Sequence, residues 1–264
     1  MRTIEDPFTE PSPDEVPLAN APLVRVIAQV RFPEILTVGQ RDFVAPFQEA
    51  IRATYPVLRQ EQIPAVLIGP GTAMQVKPQT AWRFGDAAGQ WRVSLTPEFL
   101  ALETTKYTSR ADFFSRLHRI VTALGEHIEP SLVDRIGVRY IDRITGTAVD
   151  DIKSLVRPEV RGLAGTAIAA HAAHFLSETM FNLADARVVA RWGQLPAGAT
   201  LDPAAIEPSQ EKSWILDIDM SSAASFPFAV DQVVELGKKY AEQVYAFFRW
   251  AVTAEFLRRY GGTV

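Results

Sequence analysis

The chain has 264 residues, no cysteine, and 27 Lys and Arg against 31 Asp and Glu, for a formal net charge of −4. Its 47% hydrophobic content suffices for the core of one large domain or two fused half-domains. The lack of cysteine excludes disulfides, thiolate metal sites and cysteine nucleophiles, and the acidic balance disfavours a basic, nucleic-acid-tracking surface.

The first 20 residues carry acids and four prolines rather than a basic stretch followed by an apolar one, which predicts an extended N-terminal arm over 1–20 and no secretory signal. No run of about 18 apolar residues follows, so no membrane span is expected, and the cytoplasm is the predicted address. From Leu23 to Phe32, Val24, Val26, Ala28, Val30 and Phe32 alternate with Arg25, Gln29 and Arg31, the period of a strand. Phe43, Phe47, Ile51 and Tyr55 recur every fourth residue, predicting a helix that ends before Pro56 and has Pro46 near its first turn. Three strands are expected next, over 65–68, 73–84 and 90–102, with a turn at Gly69-Pro70-Gly71 and a loop at 85–89. Ser109 and Asp112 resemble a capping box before a helical stripe of Phe113, Phe114, Leu117, Ile120, Val121 and Leu124.

A second passage of the same kind opens at Leu132. Ile136, Val138 and Tyr140 share one strand parity, and Arg135, Gly137, Arg139, Ile141 and Arg143 share the other. A short helix near 150–156 and strands over 167–183, 186–193 and 214–220 are expected, with a mobile loop from Pro196 to Ser213. A helix of about 30 residues closes the chain, carrying Val230, Val233, Val234, Tyr240, Val244, Phe247 and Phe248. Aligning the passages pairs Leu23-Val24 with Leu132-Val133 and Val30-Arg31-Phe32 with Val138-Arg139-Tyr140 in the first strand, then Trp82 with Trp192, and Trp91-Arg92-Val93-Ser94-Leu95 with Trp214-Ile215-Leu216-Asp217-Ile218. A one-residue offset in the first pair requires a bulge. The predicted fold is α+β: an antiparallel-rich sheet of about eight strands from two β-α-β-β-β-α halves, 21–130 and 131–264, forming one compact unit with the long C-terminal helix on the sheet.

Several blocks carry a resemblance. Asn20-Ala21-Pro22-Leu23-Val24, Trp91-Arg92-Val93-Ser94-Leu95, Phe99-Leu100-Ala101-Leu102-Glu103-Thr104, Arg135-Ile136-Gly137-Val138-Arg139-Tyr140-Ile141-Asp142-Arg143-Ile144 and Phe248-Arg249-Trp250-Ala251-Val252-Thr253 together resemble a sporadically distributed bacterial family of uncharacterised proteins of about this length. That family usually has asparagine where this chain has Asp142. The resemblance implies a bacterial protein of patchy distribution, of the sort carried with mobile or defence-related gene clusters, and supplies no catalytic residue.

Arg135, Arg139 and Arg143 are spaced roughly 13 Å apart along one strand face at about 3.3 Å per residue. They suit a bidentate grip on a carboxylate or phosphate ligand, and they also suit ion pairs with a neighbouring strand that carries Asp217 and Asp219. Trp82 and Trp91, like Trp192 and Trp214, fall on strands, where indoles either stack on a ligand or pack a core. His171 and His174 would share a face only on a helix, with Glu178 four residues on; as a strand the stretch points them apart. No nucleophile elbow, dinucleotide fingerprint or phosphate loop is present. The candidate ligand-binding residues are therefore Arg135, Arg139, Arg143, Trp82 and Trp91, with no catalytic residue, metal or cofactor assigned. The leading expectation is a non-enzymatic interaction or regulatory protein that binds a protein partner at a strand edge or sheet face. A small anionic or apolar ligand is the second, and a metal-dependent enzyme using His171, His174, Asp217 and Asp219 the third. Exposed strand edges also permit a homodimer.

Overall fold

The computed structural model describes residues 4–67 and 75–263, with 64–67 and 75–77 given by backbone alone. Its strands are β1 (Leu23–Arg31), β2 (Val57–Leu67), β3 (Gln75–Gly85), β4 (Trp91–Thr96), β5 (Phe99–Thr104), β6 (Leu132–Val133), β7 (Arg135–Thr145), β8 (Phe175–Asn182), β9 (Ala186–Leu195), β10 (Ser213–Ser222) and β11 (Phe226–Pro227). Its helices are α1 (Arg41–Ile51), α2 (Arg110–His127), three single turns α3 (Thr147–Asp150), α4 (Ile152–Leu155) and α5 (Pro158–Arg161), then α6 (Val230–Ala251) and α7 (Ala254–Arg259). Nine strands form one antiparallel sheet in the order β2-β3-β4-β5-β1-β7-β10-β9-β8, and β6 pairs with β11. The expected α+β class holds, with nine strands in place of eight.

The extra strand comes from a turn inside the predicted segment 90–102. Thr96 Oγ1 accepts from the amides of Glu98 and Phe99 at 3.2 and 3.1 Å, and Pro97 fixes the turn between Thr96 and its partner Phe99. In consequence β5, not the Trp91 strand β4, neighbours β1, whereas the Trp214 strand β10 itself neighbours β7. The segment expected as a strand from Ala167 begins with a 3-10 turn at Ala167–His171, and pairing starts only at Phe175. Pro46 lies in the second turn of α1. The turn expected at Gly69-Pro70-Gly71 lies outside the described residues.

The chain divides into two compact units, each discontinuous in sequence: one of Met1–Val26, Val138–Ser221 and Lys239–Val264, the other of Ile27–Gly137 and Ser222–Lys238. In the second unit, Phe84, Val93, Leu95, Leu100 and Leu102 form one buried sheet face beneath α1 and α2. Ser109 Oγ caps α2 by accepting from the Asp112 amide. Gly237 lets α6 approach α2 closely, since a Cβ there would stand 2.8 Å from the Phe114 ring.

In the first unit, Trp214, Leu216, Ile218 and Met220 of β10 are buried. Gly193, at φ +154, admits β9 against β8, because a Cβ there would lie 2.1 Å from the Phe175 carbonyl oxygen. The closing helix is shorter than expected. It stops at Ala251, Val252 makes a β-bridge to Val156, and Thr253 caps α7 by accepting from the Phe256 amide. The N-terminal arm is laid on this helix. Tyr245 Oη accepts from the Val16 amide and donates to the Asp14 carbonyl at 2.7 and 3.2 Å, Arg249 donates to the same carbonyl at 3.0 Å, and the Phe8 ring packs on Phe181 and Phe247.

Candidate functional site

Polar chemistry in the first unit concentrates on the sheet face opposite Trp214 and Ile218. Alternation puts Arg139 of β7, Asp217 of β10, Arg191 of β9 and Glu178 of β8 on that face. Arg139 donates Nε and Nη2 to the two oxygens of Asp217, both at 2.8 Å, and Nη1 to Asp202 at 2.7 Å. Asp217 is completely buried and also receives Arg191 Nη1 at 3.4 Å, while Arg191 Nε donates to Glu178. The result is a continuous ionic chain, Asp202–Arg139–Asp217–Arg191–Glu178, in which each arginine touches two carboxylates.

Burial opposes the charge on Arg139, yet the hydrogen bonds and attraction of Asp217 and Asp202 outweigh it and hold the guanidinium firmly protonated. Asp202 shows the complement. Desolvation raises its pKa, Arg139 and the amides of Ala204 and Ala205 lower it, and the net displacement is downward.

A covering loop explains the burial. The segment after β9, expected to be mobile, is folded onto this face. Arg25 Nε donates to the Ala205 carbonyl at 2.9 Å, Arg143 Nη2 donates to the Glu207 carbonyl at 2.7 Å, and Arg139 holds the Asp202 carboxylate. Ala205 and Ile206 are buried. Internal bonds from the Thr200 hydroxyl to the Ile206 carbonyl and from the Gly198 amide to the Ser209 carbonyl complete the loop.

The structure distributes the five candidate binding residues rather than gathering them. Arg139 and Arg143 lie in this loop-covered region. Arg143 Nε is buried without a hydrogen-bond partner among the described residues, and burial lowers the pKa of its guanidinium. Arg135 belongs to the other unit, where its guanidinium lies across Gly137, occupying the space a Cβ would need, and reaches Gln29 at 3.5 Å. Trp82 and Trp91 also belong there, inside the helix-covered core. The Trp82 indole donates to the Val38 carbonyl at 2.7 Å, and Trp91 packs on Phe113 under the Arg116 guanidinium.

His171 ends a 3-10 turn and His174 precedes β8, so they share no helical face. Among the described residues no group of three His, Cys, Asp or Glu side chains is placed to hold a metal ion.

Sequence reasoning missed Arg191, Asp202 and Glu178 as members of the network. Arg191 precedes Trp192 on a strand whose alternate residues are apolar, and Asp202-Pro203-Ala204 has the composition of an Asx turn; Asp202 Oδ1 accepts from the Ala204 amide at 3.1 Å.

The last member of this network, Glu178, lies on an edge strand. β8 ends the sheet order and its exposure alternates residue by residue. Leu183, just beyond it, donates to the Ala186 carbonyl at 2.8 Å, which continues the β8–β9 register in which Asn182 faces Arg187. Alternate residues from Leu183 back to Phe175 therefore direct their backbone groups to β9, and Leu176, Glu178, Met180 and Asn182 direct theirs outward. Leu176 and Met180 are 43% and 55% exposed.

No family model matches the chain, and no curated protein matches it. No helix among the described residues is long and apolar enough to cross a membrane.

Proposed function

We propose that this is a non-enzymatic cytoplasmic interaction or regulatory protein that engages a protein partner by strand addition at β8. The carrying observation is that edge: a strand with outward backbone groups and two exposed apolar side chains. The opposite edge supplies the contrast. β2 carries Pro64, Arg59 and Glu61, devices that blunt an edge against pairing; β8 contains no proline and a single charged residue, Glu178.

The test is a photo-activatable residue placed at position 180 in the living cell, with position 60 on β2 as control. The expected result is a discrete protein adduct at 180 and none at 60. The mass of the adduct identifies a second copy or a different protein, and no protein adduct at 180 would overturn the reading.

A second reading, binding of a small anion, rests on the buried Nε of Arg143, which has no hydrogen-bond partner among the described residues. It predicts that a panel of dicarboxylates and inorganic phosphate includes at least one compound that raises the melting temperature, and that Arg143→Ala abolishes the rise.

A further inference from the structure

The sequence of β8 has a feature that edge exposure alone does not require. Phe175-Leu176-Ser177-Glu178-Thr179-Met180-Phe181 reads the same from either end in chemical class: aromatic, aliphatic, hydroxyl, carboxylate, hydroxyl, aliphatic, aromatic. From this we infer that the partner at the β8 edge is a second copy of the chain, paired antiparallel about a two-fold axis through Glu178. The inference rests on the edge-binding reading above and adds the identity and register of the partner.

A two-fold axis between identical antiparallel strands forces residue i to face residue j wherever the two numbers sum to a constant. With the axis at Glu178, Leu176 faces the partner's Met180, Phe175 faces the partner's Phe181, and Ser177 faces the partner's Thr179. Like meets like on both faces of the extended sheet, in the cross-strand pairs that stabilise antiparallel ladders.

The backbone imposes an independent condition. Only residues whose N–H and C=O point outward can form the hydrogen-bonded pairs, and these are the even-numbered ones established by the β9 register. Glu178, Leu176 and Met180 are all even, so this axis gives hydrogen-bonded pairs at each of them, about six new bonds. Moving the axis by one residue, to Ser177 or Thr179, keeps the hydrogen bonding but sets Glu178 against the partner's Leu176 or Met180.

The apposed Glu178 carboxylates are the one unfavourable pair. Each already accepts from its own Arg191, which in turn contacts buried Asp217, so each strand brings its countercharge to the axis. An edge-to-edge contact of this length is small beside stable dimer interfaces, and a transient, concentration-dependent dimer follows.

The chain's lack of cysteine gives a clean test of register. Directly opposed residues of a hydrogen-bonded pair have Cα atoms about 5.5 Å apart, within the range a disulfide spans. Oxidised under dilute conditions, Glu178→Cys should form a covalent dimer, and Ser177→Cys, Thr179→Cys and Asn182→Cys should not. Leu176→Cys and Met180→Cys should cross-link when mixed and stay single apart.

Sedimentation of the unmodified chain should show a reversible dimer, with Met180→Lys weakening it at least tenfold while leaving the thermal melt of the dilute protein unchanged. A monomer at every concentration from micromolar to millimolar, or equal cross-linking at 178 and 182, would overturn the self-pairing. A photo-adduct of foreign mass at position 180 under those same circumstances would leave the edge-binding reading standing, whereas no adduct would remove both.

Discussion

The helix-free sheet faces of the two units use the same residue types to different ends. In the unit containing β2 to β5, Arg83 pairs with Glu61 and Arg31 with Glu98, both at 3.3 Å, and Glu61 and Glu98 are partly solvent-exposed. In the unit containing β8 to β10, Asp217 has no exposure at all, bridges two arginines, and lies under a loop held by three. The difference shows that alternation specifies which side chains leave the core side of a sheet, while a covering segment decides whether those charges are screened by water or depend on one another.

The largest effect should come from breaking the covered network at its centre. Asp217→Ala leaves Arg139, whose side chain is 15% exposed, without its bidentate partner and Arg191 without its inner contact. Removing one partner of a buried ion pair costs about 3–5 kcal/mol, and Asp202 and Glu178 remain as the outer partners of the two arginines. Urea unfolding should show the loss, and it should persist in 1 M salt because the pair lies away from mobile ions. A loss below about 1 kcal/mol would mean that the network behaves like the open pairs of the other unit.

Much of this arrangement was legible in the chain. The alternation of β1 marks Val26, Ala28 and Val30, all completely buried, and Ser109 marks the start of α2. Asp217 was identifiable as an acidic partner for the arginines of β7. What the local pattern could not contain is the return of a loop over the sheet: Asp202 meets Arg139 across 63 residues, and no period connects them. The turn at Pro97 was legible in principle, since proline inside an apparent strand is a turn or edge signal, but the apolar alternation on both sides masks it. The burial of Asp142 was legible too, because it shares parity with Ile136, Val138 and Ile144, all buried.

Asp142 offers the next largest effect, in a different part of the same unit. Unlike Asp217 it has no cationic partner among the described residues to offset burial, and desolvation raises its pKa to about 7. The folded state therefore holds its proton more tightly than the unfolded chain, whose carboxyl titrates near 3.9. Its favourable contribution is complete below about pH 4 and is lost as the pH rises through 7. Asp142→Asn, which replaces the carboxyl with a neutral amide of the same shape, should leave stability near pH 4 unchanged, flatten the decline between pH 4 and 7, and raise stability at pH 8 by roughly 2–4 kcal/mol. Unfolding curves across that range check it; a variant that still loses stability over the same interval would assign the decline to another group.

The smallest effect is expected on the open face, and it calibrates the first. Arg31 and Glu98 retain 46% and 34% of their side-chain exposure, so water already solvates both charges and their attraction is offset by the entropy of holding two long side chains together. Arg31→Ala should cost under about 1 kcal/mol, and because the pair is open to mobile ions the effect should shrink toward zero in 1 M salt. The Arg31 carbonyl accepts from the Asp134 amide at 2.8 Å, a backbone contact that alanine preserves, so the substitution isolates the side chain. If Arg31→Ala proved as costly and as salt-resistant as Asp217→Ala, the two faces would share one energetic regime, and cover by the loop would not be what distinguishes them.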